Sequence, residues 1–530
     1  MKMKYILYGG ALTVTNLISC VAFAQNPVNK PGGAARPMAS PVTLPVPYTG
    51  NSINYVRTWE PDMPFTDTAS VLSSARKVRE VKQTTQYLDG LGRPLQTVSK
   101  ATSPNGRDIV VPVVYDLYGR EEFKYLPYVQ QTASDGKFKT APFSSQRDFY
   151  KNGILNPGIA GDSIYYSRTQ YELSPLNRPL KGYAPGNSWA TKPIETRYLV
   201  NTANDSVRIW NMESIIPASI SNYAAGQLQK NVSVDEQGSQ VVEYKDKEGQ
   251  VVLKKVQISN SPGTAHMGWL CTYYVYDDLG MLRFVIPPLA VEAIKGPWTI
   301  STVIANELCF QYQYDARQRM IVKQVPGAGR FFMVYDLRDR LVFTQDSVQR
   351  TKSPMEWLVT FYDDINRPTM TALYKGTSTR ETLQGSMNAA ISSQSISYVA
   401  PAEADLALYS HDGSPLYVAT NSITFLDGFD TDVAGDTEAK IDSVAKGDTT
   451  MITASNPLPN ISTSVLTPLT YTFYDNYNYS NRLAFVGTDT GKLLSADTLY
   501  PERLSVASLT KGLVTGSKAR VLGTEKWLTT

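Results

Sequence analysis

The residues that could do chemistry are few and scattered. Only two histidines occur, His266 and His411, in different segments. A histidine-based triad or a zinc cluster needs several ligands converging on one point, so both are read as solvated loop or hairpin residues. The carboxylate pairs Asp277-Asp278 and Asp363-Asp364 suggest glycosidase chemistry at first sight. Adjacent side chains on a strand or turn point apart, however, whereas glycosidase carboxyls face each other across a substrate, so turn capping is the preferred role. The run Asp430-Thr431-Asp432-Val433-Ala434-Gly435-Asp436-Thr437-Glu438 fits part of a calcium loop. Ala434 occupies a ligand slot and Ile441 stands where the bidentate glutamate belongs, which favours a solvated acidic loop. No phosphate-binding loop, His-Glu-x-x-His helix or Gly-x-Ser-x-Gly elbow is present. No enzyme activity, metal or cofactor is expected.

The richer signal is a recurring phrase, Tyr-Asp, two spacers, a turn residue and Arg. Clear copies run through Tyr115, Asp116, Gly119 and Arg120, and through Tyr335, Asp336, Asp339 and Arg340. Looser ones contain Tyr276, Asp277 and Gly280; Tyr314, Asp315, Gln318 and Arg319; and Tyr362, Asp363, Asn366 and Arg367. Asp89, Gly92 and Arg93 keep the same spacing with Tyr87 displaced by one. Degenerate copies end at Asn177-Arg178 and cover Tyr244 to Gln250.

Alternating β-branched and aromatic residues flank each copy, the pattern of a hairpin. Aspartate is expected to cap the turn by accepting backbone N–H groups. The residue before Arg is of a type that tolerates positive φ, with Gln318 the least comfortable. Arg is expected to pair with its own Asp at a surface, a contribution of about 0–1 kcal/mol. Tyrosine outnumbers phenylalanine 33 to 16, which suits half-exposed strands. The irregular spacing of the copies indicates an array carrying insertions. The predicted fold class is all-β, a β-hairpin ribbon forming a curved or spiral sheet, a partial shell, with an inserted β module.

The Tyr-Asp-x-x-Gly-Arg phrases resemble the YD repeats of the RHS-repeat family. The block from Gln86 to Gln96 and on through Tyr115–Arg120 resembles an N-terminal domain of uncharacterised function found in secreted RHS-like proteins. Tyr471 to Asp475 and Lys511 to Gly516 resemble that group too, so the likeness spans most of residues 55–530. It implies a hairpin ribbon spiralling into a hollow shell that encloses a variable C-terminal toxin or presents the chain at the cell surface. No RHS core with its self-cleaving aspartate and no toxin module is recognisable, so neither autoproteolysis nor toxicity is expected of this chain.

Lys2 and Lys4, an apolar stretch from Tyr5 to about Val21 and Ala22-Phe23-Ala24 read as a bacterial export signal cleaved before Gln25. Leu17-Ile18-Ser19-Cys20 resembles a lipobox, the alternative, with a lipid anchor at Cys20. No other stretch approaches the ~18–20 apolar residues of a membrane helix. The expected location is secreted or at the bacterial cell surface. Cys271 and Cys309 hold the same slot of consecutive repeats, roughly 9–10 Å apart if each repeat adds two strands. Two free, half-buried thiols are therefore expected rather than a disulfide.

The predicted organisation is a signal at 1–24, a poorly packed Pro-rich leader at 25–50 and an N-terminal YD-type β domain at 51–190. The hairpin array follows at 191–375, then an inserted β module or elaborated loop at 376–470. A further repeat region, cut short, occupies 471–530. Net charge is 51 − 48 = +3, without a basic run, which argues against nucleic acid as a partner. The preferred role is a non-enzymatic module that encloses or displays a C-terminal effector or a downstream RHS core. The alternative is an adhesin whose exposed tyrosines stack on surface glycans.

Overall fold

A computed structural model describes residues 39–50, 53–63, 65, 67–389, 394–401, 405–411, 415–430, 437–455, 465–479, 510–524 and 526–530. The expected signal, Cys20 and the start of the leader lie outside these residues, as do Asp432, Gly435 and Asp436 of the acidic run. The chain divides into two compact units, one of Met1–Ser206 with Ala224–Leu270, the other of Val207–Tyr223 with Cys271–Thr530. Both are all-β in plan and built from antiparallel hairpins.

In the first unit, Asn54–Pro61, Val81–Leu88, Pro94–Ser99, Ile109–Pro112 and Tyr128–Val129 form a five-stranded sheet in that order. Alternation puts Tyr87, Val98, Val110 and Tyr128 on one face, where they pack with Tyr150 and Tyr165. Tyr150 comes from the helix Pro142–Lys151, which also buries Phe143 and Gln146. A second antiparallel run follows through Phe123–Tyr125, Tyr166–Tyr171, Pro179–Tyr183, Ile194–Val200, Gln229–Val234, Gln240–Lys245 and Val251–Gln257.

Order starts earlier than the proline content suggests. Val42, Leu44 and Tyr48 pack on the cluster of Tyr125, Phe143, Ile164 and Tyr166. The Val42 N–H donates to the Tyr166 hydroxyl (2.9 Å) and the Tyr48 N–H to the Thr140 carbonyl (2.8 Å). Proline spacing leaves apolar side chains free to dock in extended conformation, so the end of the leader is part of the fold.

The second unit is a longer run of the same kind, from the strand Trp269–Tyr276 through Leu282–Ile286, Phe310–Tyr314, Met320–Gln324, Phe331–Tyr335, Leu341–Gln345, Met355–Tyr362 and Pro368–Gly376. Its core includes Val334, Phe343, Trp357, Phe361, Met370 and Tyr471. The helix Pro288–Ile294 covers the Val291–Ile294 stretch. Pro368–Gly376 then pairs with Leu466–Tyr474, with the Thr371 and Thr470 hydroxyls 2.6 Å apart. The described residues between those strands are therefore an excursion from the ribbon. It holds the helix Arg380–Ala389, an antiparallel pair Gln394–Pro401 with Lys446–Ala454, and two parallel pairs. Parallel neighbours need a crossover that a tight turn cannot supply, so the excursion departs from hairpin construction. Val514–Arg520 and Trp527–Thr529 complete the run.

Cys271 and Cys309 are not joined in a disulfide, and both are fully rather than half buried. Burial pushes the Cys309 thiol up to about 12.

Candidate functional site

The recurring phrase folds into one corner geometry, seen plainly at Asp336. The Asp336 N–H donates to the Arg340 carbonyl (3.1 Å) and the Asp339 N–H to the Asp336 carbonyl (3.2 Å). One carboxylate oxygen, Oδ1, accepts the N–H groups of Arg338 and Arg340, both at 2.9 Å. The other, Oδ2, accepts from Arg340 Nε at 2.6 Å. Asp339 has φ 61°, and the strand register shifts at Tyr335. This is a tight turn followed by a left-handed bulge residue, a common way to close a short hairpin.

The same bonds recur at Asp89, Asp116, Asp315 and Asp363. Each Oδ1 accepts the N–H of the Arg four residues on, at 2.8 to 3.0 Å. Each Oδ2 accepts that Arg's Nε, at 2.6 to 2.8 Å. The residue before Arg has positive φ throughout, at Gly92, Gly119, Gln318 and Asn366. Asp277 keeps the turn with Gly280, but Met281 fills the arginine slot. Arg283 reaches back to Asp277 Oδ2 instead, at 3.2 Å.

Arginine and tyrosine then join one corner to the next, which the sequence does not announce. The Arg319 guanidinium lies 4.9 Å from the Tyr335 ring centroid, Arg340 5.0 Å from Tyr362, and Arg367 4.2 Å from Tyr474. In the first unit Arg93 lies 4.4 Å from Tyr115, Arg120 4.7 Å from Tyr171, and Arg178 4.5 Å from Tyr198. The tyrosine hydroxyl bonds the carbonyl just after the preceding corner: Tyr335 to Met320 (2.7 Å), Tyr362 to Leu341 (2.9 Å), Tyr474 to Pro368 (2.9 Å) and Tyr198 to Pro179 (3.2 Å). Tyr314 does the same to Leu282 (3.0 Å). The free arginine nitrogen reaches the next turn, from Arg319 to the Asp336 carbonyl and from Arg340 to the Asp363 carbonyl, each at 3.1 Å. The expected surface pair is thus corrected for Arg340 and Asp336, which are sheltered because the following repeat lies over them; Arg93 with Asp89 stays close to the surface.

Several corners were hidden or misread. Glu172 replaces Asp in the copy ending at Arg178, and its longer side chain spans a longer turn, bonding Arg178 Nη2 at 2.8 Å. Asp235 closes a full corner with Gly238 although neither Tyr nor Arg is present; only its Asp-x-x-Gly spacing could have signalled it. Tyr87 and Tyr244 point into the core, bonding Gly136 and Asp205. Asp475 receives Arg367 through both carboxylate oxygens, at 3.0 and 2.6 Å. It is closed by Gly512 N–H at 2.6 Å, far along the chain.

Electrostatics follow these contacts. The Arg178 guanidinium holds the Glu172 carboxyl down at about 2, and Arg367 does the same for Asp475. Burial works to raise the Asp315 carboxyl, but Arg319 outweighs it and the net direction is down. Burial raises the Tyr335 and Tyr362 hydroxyls.

The histidines are not the solvated residues the sequence suggests. His266 is buried, and His411 packs against Tyr417 and Phe429 while its Nε2 contacts the Thr437 hydroxyl at 2.8 Å. Their loops fold onto aromatic and backbone neighbours, which removes His266 from water and leaves His411 half-buried. Two ion pairs anchor loops in the first unit, the buried pair Lys139 with Asp108 (2.9 Å) and the half-buried Lys230 with buried Asp205 (2.6 Å). Among the described residues no group of three His, Cys, Asp or Glu is placed to hold a metal ion.

Residues 57–202 match the family model described as a domain of unknown function (DUF6443). No curated protein matches the chain. Among solved structures, one of TcdB2-TccC3-TEV is similar at 16% identity and TM-score 0.38, covering 61% of this chain and 14% of that one. TcdB2-TccC3 without its hypervariable C-terminal region is similar at 15% identity and TM-score 0.37, covering 85% and 19%. A Photorhabdus luminescens Tc holotoxin pore is similar at 15% identity and TM-score 0.37, covering 84% and 18%. The chain thus spans less than a fifth of the length of each of these structures.

Proposed function

We propose that this chain is a non-enzymatic structural module of an exported RHS-type protein, a β-hairpin wall that encloses or displays a C-terminal effector. The observation that carries this reading is the use made of the repeated polar residues. Asp336, Arg340 and Tyr362 each spend their hydrogen-bonding groups on the backbone, on one another or on the next repeat. That chemistry supports a rigid wall extended one hairpin at a time, as in other repeat proteins. The export pattern at Lys2 to Ala24 supports action outside the cytoplasm, at the cell surface or beyond.

The experiment is protease protection of a reporter domain fused after Thr530. A housing role predicts slower digestion of the fused reporter than of the reporter alone. It also predicts loss of that protection when the wall is opened by Arg340→Ala with Arg367→Ala. Equal digestion in every form would contradict enclosure and leave display, which surface labelling of intact cells then tests.

A further inference from the structure

The corners of the first unit carry aliphatic and aromatic side chains at their apices that the turn itself does not require. Leu91, Leu117, Tyr118, Leu173 and Leu176 are between 70% and 105% exposed. The equivalent slots of three other corners hold Glu236-Gln237, Lys247-Glu248 and Ala316-Arg317, and those corners close with the same backbone bonds; the corners at Asp277, Asp336 and Asp363 carry one exposed aliphatic residue each, Leu279, Leu337 and Ile365. Turn chemistry therefore accepts polar residues here, and five large apolar side chains in water are a cost the fold does not explain.

These apices are neighbours. Arg93 Nη1 lies 2.8 Å from where a side chain on Gly119 would begin. Arg120 Nη1 donates to Asn177 Oδ1 at 2.9 Å. The corners at Asp89, Asp116 and Glu172 accordingly form one row.

We infer that this row is a membrane-contact edge, with the five side chains entering the headgroup–acyl boundary of a lipid bilayer. Three features of the corners fit that occupant. First, three N–H groups in each of two corners are already bonded within the turn: Leu91, Gly92 and Arg93 to Asp89, and Tyr118, Gly119 and Arg120 to Asp116. Each donor so satisfied lowers the cost of moving the turn out of bulk water. Second, the turn charges are paired within each corner, as Asp89 with Arg93, Asp116 with Arg120 and Glu172 with Arg178, which suits an uncharged or zwitterionic surface better than an anionic one. Third, Leu117 and Leu173 stand fully clear of the surface. Such projecting points need matching pockets in a protein partner but none in a fluid interface, where tyrosine is also favoured at headgroup level. No described helix is long and apolar enough to cross a membrane, so contact would be peripheral.

The test is flotation with phosphatidylcholine vesicles, using the chain begun at Gln25, which keeps every residue the structure describes. Wild type and Ile154→Glu, a control that charges a comparably exposed apolar residue belonging to none of the three corners, are expected to float alike. Leu117→Glu with Leu173→Glu is expected to lower the vesicle-bound fraction by at least about tenfold. Because those side chains make no turn bond, the double variant should keep the wild-type melting temperature. Should it fail to fold, Leu117→Ser with Leu173→Ser takes its place. Wild-type flotation should also persist in 0.5 M salt, roughly four times the ionic strength at which surface charges are already screened, and without anionic lipid. Failure of the wild type to float, equal flotation of the double variant, or loss of binding in salt would overturn the proposal. So would a double variant that floats normally but loses a self-association seen in the wild type, which would make a second copy the occupant.

Discussion

The guanidinium of Arg340 lies 5.0 Å from the centroid of the Tyr362 ring, while the Tyr362 hydroxyl bonds the Leu341 carbonyl at 2.9 Å. One side chain of a repeat thereby holds two groups of the repeat before it. The aspartate shapes its own turn, the arginine links that turn to the next, and the tyrosine covers the arginine. Stability in such an array resides in neighbour contacts as much as in each hairpin.

Shelter differs from corner to corner, and the cost of losing an arginine should follow it. Arg340 and Asp336 are 8% and 6% exposed, whereas Arg93 and Asp89 are 36% and 16% exposed. Arg340→Ala leaves a carboxylate enclosed without its cation and should destabilise by about 3 kcal/mol. Arg93→Ala should cost about 1 kcal/mol or less. Urea unfolding of the two variants checks the order, and equal losses would count against it.

The turn positions separate backbone strain from crowding. Gly92 and Gly119 both have positive φ, but a side chain at Gly119 meets Arg93 Nη1 at 2.8 Å while one at Gly92 meets nothing within 4 Å. Both alanine variants pay the left-handed penalty of about 1 kcal/mol; Gly119→Ala should lose more because Arg93 must move. Gly119→Val is expected to cost about 1–3 kcal/mol. Gln318, at φ 62°, offers the reverse: Gln318→Gly should raise stability by about 0.5–1 kcal/mol through relief of that strain. Melting temperatures decide all of these.

Acid should weaken the fold through the depressed carboxyls. Glu172 and Asp475 sit at about 2 in the folded chain, against roughly 4 when unfolded. Their contribution is complete above the unfolded value and is lost as pH falls through the folded one. The melting temperature should therefore drop between about pH 4.5 and 2. Glu172→Gln and Asp475→Asn should flatten that drop, and an unaltered slope in both would contradict the assignment.

Much of the plan was legible in the sequence because turn chemistry is local. Asp, Gly or Asn, and Arg at fixed spacing mark a corner wherever their partners lie within the same few residues. What stayed hidden depends on strands brought together from a distance. Nothing near Tyr362 in sequence shows that its ring covers Arg340, so its role could be read only as strand packing. Arg283 stands in for the missing arginine beside Asp277 from outside the phrase, on the returning strand. Asp235 was missed because its backbone bonds need only the aspartate and a following glycine. His266 looked solvated because burial of a loop is decided by what folds over it.

The most direct test of the linked corners is a double-mutant cycle on Arg340 and Tyr362. Urea unfolding of Arg340→Ala, Tyr362→Leu and the double variant should give a coupling of about 1 kcal/mol or more, each residue mattering less once the other is gone. Single losses that add to within about 0.3 kcal/mol would show the two residues acting independently, and the corners would then be separate hairpins rather than a connected row.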